Sequence, residues 1–321
     1  MQTFEQLSSQ FSSFFNQAHF PAQPDTLYRP AEYFLSLGGK RVRPVCCLMG
    51  NELFDEILPD TWQVATAIEL FHNFTLIHDD IMDKAPLRRG METVHTKYGE
   101  PTALLAGDVM LVVAYDYLNK VKSPHFHRLV SLFNTTAKEV CEGQQLDMDF
   151  EKQETVSLNA YLHMIELKTS VLLAASLKLG AILGGAGEGN LHHIYEFGKN
   201  LGIAFQVQDD YLDCFGDPAK FGKQPGGDIR SNKKTFLLIR ALETAVGADR
   251  EKLLHLLAAN PADKVEKVLA IYQKAGVDQW AMELKNQFLE KALQHLEDIA
   301  VLSKRKQPLR QLADFLVQRD Y

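Results

Sequence analysis

Residues 65–83 read ATAIELFHNFTLIHDDIMD, an apolar run that closes on three aspartates. The apolar positions recur at helical spacing from Ala65 to Ile77, which predicts a buried helix. On a helix, residues four apart lie about 40° apart around the axis and roughly 6 Å along it. Asp79 and Asp83 therefore share one face, with Asp80 beside them. Three carboxylates this close repel one another unless cations neutralise them. Hard oxygen ligands of this kind suit Mg2+, which keeps waters and bridges to substrate phosphates.

The arrangement returns in residues 205–213, FQVQDDYLD, which places Asp209, Asp210 and Asp213 at the same spacing. Each cluster ends an apolar helical pattern, and each is followed directly by a glycine-containing loop. One such cluster reads most simply as a solvated acidic helix end. Two copies favour a paired metal site, in which facing carboxylates hold Mg2+ around one diphosphate.

Helical periodicity dominates the rest of the chain. It predicts helices near 60–83, 101–119, 126–150, 155–184, 188–215, 232–246, 249–259, 262–275 and 279–302. Strand alternation of any length is missing, prolines sit at the boundaries of the periodic runs, and no repeat or low-complexity linker interrupts them. The expected fold is all-α, with residues 1–321 forming one domain.

Of the residues, 46% are hydrophobic and 23% charged, an ordinary globular composition. The net charge of −7 argues against nucleic-acid binding, which needs a basic surface. Four cysteines show no CxxC pairing, which suits a reducing compartment. The N-terminal residues lack the basic start and apolar core of a secretory signal. The apolar stretch from Val171 to Gly185 is interrupted by Lys178 and falls short of a membrane span. The expected location is the cytoplasm, with no stable membrane insertion.

Basic motifs complement the acidic ones. Residues 38–44, GGKRVRP, put Lys40 and Arg43 at a helix start behind the flexible Gly38–Gly39 pair. Backbone N–H groups, the positive helix end and two cations there suit a phosphate. Residues 87–90, LRRG, follow the first acidic cluster. Their arginines serve either as counter-ions to it or as bidentate diphosphate ligands. His72 lies seven residues before Asp79 and so shares its helix face. Lys168 stands inside an apolar run, an unusual place for a surface lysine.

Taken together, these segments resemble the trans-isoprenyl diphosphate synthase (polyprenyl synthetase) family, in its geranylgeranyl- and farnesyl-diphosphate-synthase-like branch. The likeness covers Gly38–Pro44, Glu69–Asp83, Leu87–Gly90, Gly143–Asp147, Lys168–Thr169, Phe205–Asp213 and Lys223–Thr235. It implies a bundle of long helices around a central cavity, the isoprenoid synthase fold, and a homodimer. It also implies Mg2+, three ions with diphosphate bound, ligated by Asp79, Asp83 and Asp209. Asp80, Asp210 and Asp213 then act as supporting or water-mediated partners.

The same resemblance assigns Gly39, Lys40, Arg43, His72, Arg89 and Phe205 to isopentenyl diphosphate. It gives Arg88, Lys168 and Lys233 to the allylic diphosphate, with Lys223 in the closing loop. Thr169 and Gln206 match groups near the developing allylic cation, and Gln144 and Asp147 match a shell around it. The implied reaction condenses isopentenyl diphosphate with an allylic diphosphate, and the released diphosphate removes the final proton. Phe74, with Phe71 and Thr75, implies a floor for the growing product, favouring C20 over C15. A class I terpene cyclase, or a non-catalytic subunit of a heteromeric synthase, are the alternatives. His78 and His95 read as structural.

Overall fold

The computed structural model describes residues 1–216 and 226–317, and among these it is almost wholly helical. The chain divides into two compact units, the first comprising residues 1–134, 175–194 and 301–308, the second 135–174, 195–300 and 309–321.

In the first unit, helices α1 (Phe4–Phe15), α2 (Asp25–Ser36), α3 (Val42–Glu52) and α4 (Pro59–Met82) come in succession. A capping box opens α1, in which the Thr3 side chain accepts from Gln6 and the Gln6 side chain accepts from the Thr3 N–H. Proline in the first turn opens α4, where the missing N–H costs nothing. Apolar side chains ring α4, because α3 packs on it from one side and α6 (Glu100–Leu118) from another. Between α4 and α6 come a short antiparallel ribbon, Leu87–Arg88 paired with Met91–Glu92, and helix α5 (Val94–Tyr98).

Helix α7 (Phe126–Lys152) leads on to α8 (Leu158–Ile165). The single helix expected over 155–184 is not what forms. A π-helical turn, Glu166–Ser170, separates α8 from α9 (Val171–Leu183). Its physical reason lies in its neighbours within the second unit. At Gly143 of α7 the backbone of Lys168 comes so close that a Cβ would fall 2.7 Å from the Lys168 Cα. At Gly202 of α10 (Glu188–Phe215) a Cβ would fall 2.7 Å from the Ser170 Cα. Two glycines thus let both helices press on the turn, and π-bulges of this kind gather at functional sites. The core of this unit joins Tyr161, Phe236, Tyr272 and Leu253 with Val207 and Ile203 of α10.

Candidate active site

In the first unit, α4 ends at Met82, yet the Asp83 N–H still bonds the Asp79 carbonyl at 2.9 Å. Helical register therefore carries through the cluster, and Asp79 and Asp83 share a face as expected. Asp80 points elsewhere. It is 2% exposed and takes a fork from Arg88, with Nε at 2.9 and 2.8 Å and Nη2 at 2.7 Å. Burial lifts the Asp80 carboxyl above its usual range, and the guanidinium pulls against that.

Arg88 and Arg89 reach the site on the ribbon, whose two-residue turn, Arg89–Gly90, has φ of 54° and 78°. Two positive φ values in a two-residue hairpin loop are the type I′ signature. The tip lays the Arg89 guanidinium against the Gly38 carbonyl. Beside it, Lys40 is exposed, and Arg43 in the first turn of α3 donates to His72 Nε2 at 3.1 Å. Burial first, then the charges of Arg43, Arg89, Arg88 and Arg41, depress the His72 pKa well below that of free histidine. His72 is therefore neutral and accepts. The Arg43 Nε is buried without a partner, and burial lowers the pKa of Arg43. A cationic group so placed calls for an anion.

Upstream on α4, Phe74 is half-buried, with its ring centroid 4.7 Å from His78 and 5.7 Å from Phe71. Phe71 is 1% exposed and packs on Phe133 at 5.3 Å. The Thr75 hydroxyl donates to the His72 carbonyl at 2.8 Å. His78 Nε2 sits 3.2 Å from the Leu104 carbonyl, which fits the structural role expected for it.

In the second unit, the π turn delivers Lys168 to Asp147 of α7, Nζ to Oδ2 at 2.6 Å. Thr169 donates to Gln206 at 3.2 Å, and Gln206 donates to Asp210 at 2.9 Å. The Tyr161 hydroxyl donates to the other Asp210 oxygen. Asp209 is exposed and Asp213 half-buried at the end of α10, where Phe205 is half-buried too. Asp228 donates its backbone N–H to Asp213 Oδ2 at 3.0 Å, and the Lys233 N–H bonds the Asp228 carbonyl at 2.9 Å. Burial, then Asp228, push the Asp210 carboxyl well up. Asp228 rises mainly through burial, with Asp213, Asp209 and Asp147 adding repulsion against the pull of Lys233. A crowd of carboxylates with this much mutual repulsion is the donor set a hard divalent cation fits.

Gln144 lies half-buried on α7, one residue past Gly143. Lys223 lies outside the described residues. Sequence reasoning gave no role to Tyr161, Asp228, Arg41 or Glu69. The signal for Asp228 was a Gly-Gly-Asp fifteen residues after Asp213, too short to weigh alone. Tyr161 carried none.

A helical frame with two aspartate clusters and a basic anion pocket defines an enzyme that handles diphosphates. Comparison with known proteins makes the class specific: a family model described as polyprenyl synthetase matches residues 24–275, and the chain belongs to that family. It is 37% identical over 301 residues to a geranylgeranyl diphosphate synthase of Methanosarcina mazei, covering 93% of this chain and 91% of that one. It is 35% identical over 318 residues to a geranylfarnesyl diphosphate synthase of Natronomonas pharaonis, covering 93% and 92%. A crystal structure of a geranylgeranyl pyrophosphate synthase superposes with a TM-score of 0.94 at 41% identity over 99% of both chains. The fold is the isoprenoid synthase fold, and the protein is a prenyltransferase that condenses isopentenyl diphosphate with allylic diphosphates. Enzymes of this family depend on divalent metal.

Proposed function

We propose that the enzyme makes a C20 trans-prenyl diphosphate, using Mg2+ held by Asp79, Asp83 and Asp209. The observation that carries the substrate assignment is the pairing of neutral His72 with Arg43, whose buried Nε lacks a partner. Isopentenyl diphosphate supplies the missing acceptor, with Lys40, Arg89 and the Gly39 backbone around it. The allylic diphosphate falls to Lys168, Lys233, Lys223 and, once released from Asp80, Arg88. Gln144 and Phe205 complete the walls.

Mg2+, three ions with diphosphate bound, would supply the charge stabilisation that drives departure of the allylic diphosphate. Contacts from Lys168 and Lys233 strengthen as that charge develops, so they lower the barrier instead of only tightening binding. Thr169 and Gln206, tied to each other and to Asp210, offer fixed oxygen dipoles to the allylic cation. We infer that the released diphosphate takes the final proton.

The family match, which spans residues of both units, supports reading 1–321 as one functional domain. Helix α6 is long and apolar enough to cross a membrane by composition. One of its faces packs on α4, while Leu104, Leu105 and Val112 are 41%, 57% and 59% exposed. That stripe supports a homodimer better than a membrane span. Four free cysteines suit the cytoplasm.

The deciding experiment incubates purified protein with Mg2+, isopentenyl diphosphate and each allylic starter, then sizes the products. C20 as the main product is expected; C15 or C25 overturns the length assignment. Loss of turnover by several orders of magnitude in both Asp79→Ala and Asp209→Ala, with the fold intact, is expected. Near-normal turnover in either removes the two-cluster metal reading.

A further inference from the structure

Between exposed Lys40 and pocket-forming Arg43 stands Arg41, a cation that no part of the reaction above uses. Its side chain is 9% exposed and ion-paired with Glu69, itself 5% exposed. Its guanidinium carbon lies 4.8 Å from the centre of the Phe15 ring, and its Nη2 is 3.5 Å from the Leu35 carbonyl. The Arg41 backbone is in the left-handed region, φ 52° and ψ 30°, at the residue that caps α3. A non-glycine residue rests there only when its surroundings hold it. Glu69 is fixed in turn, because Asn73 Nδ2 donates to its Oε1 at 2.9 Å and to its carbonyl at 2.7 Å. Glu69 and Asn73 flank His72 on α4, one turn before it and one residue after it.

We propose that Arg41 and Glu69 are positioning residues that set the distance between the start of α3 and His72, and so preform the isopentenyl diphosphate pocket. The proposal rests on the assignment of Lys40, Arg43, His72 and Arg89 to that substrate. Arg41 is enclosed by Glu69, Phe15 and Leu35, so it acts through the backbone it anchors. Neighbouring Lys40 and Arg43 then meet the diphosphate without a prior rearrangement, which is where preorganised sites gain affinity. Loosening the anchor therefore raises the requirement for isopentenyl diphosphate while the ionising groups on α7 and α10 are untouched.

The test uses the full-length enzyme with Mg2+ and the double variant Arg41→Met/Glu69→Leu. Replacing both members of a buried pair with apolar groups of like volume is often neutral for stability, whereas removing one is not. The expected result is a melting temperature near wild type and a KM for isopentenyl diphosphate raised about tenfold or more, with the allylic KM and kcat within about threefold. Arg41→Lys should recover part of the loss. A double variant with wild-type isopentenyl KM overturns the proposal, as does a parallel rise in both KM values. Failure of the double variant to fold overturns it as well, since the pair would then be a requirement of the fold. Arg43→Ala serves as control: an unchanged isopentenyl KM there shows that the pocket assignment itself is wrong.

Discussion

Arg88 and Asp80 form a forked ion pair at the base of the first aspartate cluster, with the arginine 23% and the aspartate 2% exposed at their side chains. Removing the arginine strands a buried carboxylate, and an unsatisfied buried group costs about 1–3 kcal/mol, more when charged. Arg88→Ala should therefore lower the melting temperature as well as turnover. Arg89→Ala removes a side chain on an exposed turn while keeping the Cβ, so the positive φ of 54° costs the same in both, and its melting temperature should stay near wild type while the isopentenyl KM rises. Calorimetry of the two variants side by side checks this. Equal stability in both would show that the Arg88 fork contributes nothing to the fold.

Lys168 sits 2.6 Å from Asp147. Losing a charge-assisted hydrogen bond costs about 1.5–3 kcal/mol, or roughly tenfold or more in rate. If Lys168 grips the departing diphosphate as proposed, Asp147→Asn should lower kcat by about that factor at saturating substrates, because the lysine loses the partner that orients it. Lys168→Ala should lower it further. A wild-type kcat in Lys168→Ala would assign that lysine to packing alone.

How much of this was legible in the sequence follows from the kind of signal each feature leaves. The shared faces of Asp79 with Asp83 and of Asp209 with Asp213 were legible because four-residue spacing fixes a helix face whatever the tertiary context. The π turn was not. The helical pattern runs from Leu158 to Leu179 with no proline or glycine to end it, and the cause of the break lies at Gly143 and Gly202, on other helices. Helix α1 went unassigned although Thr3 and Gln6 spell its capping box. The fork of Arg88 onto Asp80, and the burial of Arg41 while its neighbour Lys40 is exposed, depend on side-chain direction in a turn, which spacing does not encode.

His72 makes the unliganded protein sensitive to acid. Its folded pKa lies well below 6.5, mainly through burial and then through Arg43. In the unfolded chain it titrates near the ordinary histidine value of about 6.5. Below that pH the unfolded state takes up a proton that the folded state refuses, so stability falls as pH drops through 6.5 towards the folded pKa. The slope from this residue approaches about 1.4 kcal/mol per pH unit. Urea unfolding at pH 7.5 and 5.5 should show a loss that His72→Gln, neutral throughout, reduces. An identical loss in that variant would place the acid sensitivity elsewhere.

Lys264 is 2% exposed, and its ammonium donates to Asn232, to Asn260 at 3.1 Å and to the Arg230 carbonyl at 3.4 Å. Three donors meet three oxygens, which is how a buried lysine stays tolerable. The turn it ties down, with Asn232 at φ 57°, leads directly into Lys233. Lys264→Met leaves those oxygens without their donor, at about 1–3 kcal/mol for a buried unsatisfied group. Both the melting temperature and kcat should fall, and a variant with lower stability but wild-type kcat would separate the turn from Lys233 function.

Phe74, the residue proposed to set product length, lies five residues before Asp79 and so about 7 Å along the helix from it. The structure separates it from Phe71, which the sequence grouped with it. Phe71 is 1% exposed, wedged between Phe74 at 5.7 Å and Phe133 at 5.3 Å. Phe71→Ala opens a core cavity, and such truncations cost about 3–5 kcal/mol. It should chiefly lower stability. Phe74 is half-buried, so truncating it removes bulk from the proposed floor at smaller cost to the core, and without touching any charge. Ionisation should then proceed while elongation continues, giving products longer than the wild type makes. Thr75→Phe should shorten them towards C15, although it also removes the hydroxyl bonded to the His72 carbonyl at 2.8 Å. Chromatography of dephosphorylated products at matched turnover checks all three variants. An unchanged length distribution in Phe74→Ala at normal rate would move the floor to another helix or to a second copy of the chain, and the C20 assignment would lose its structural support.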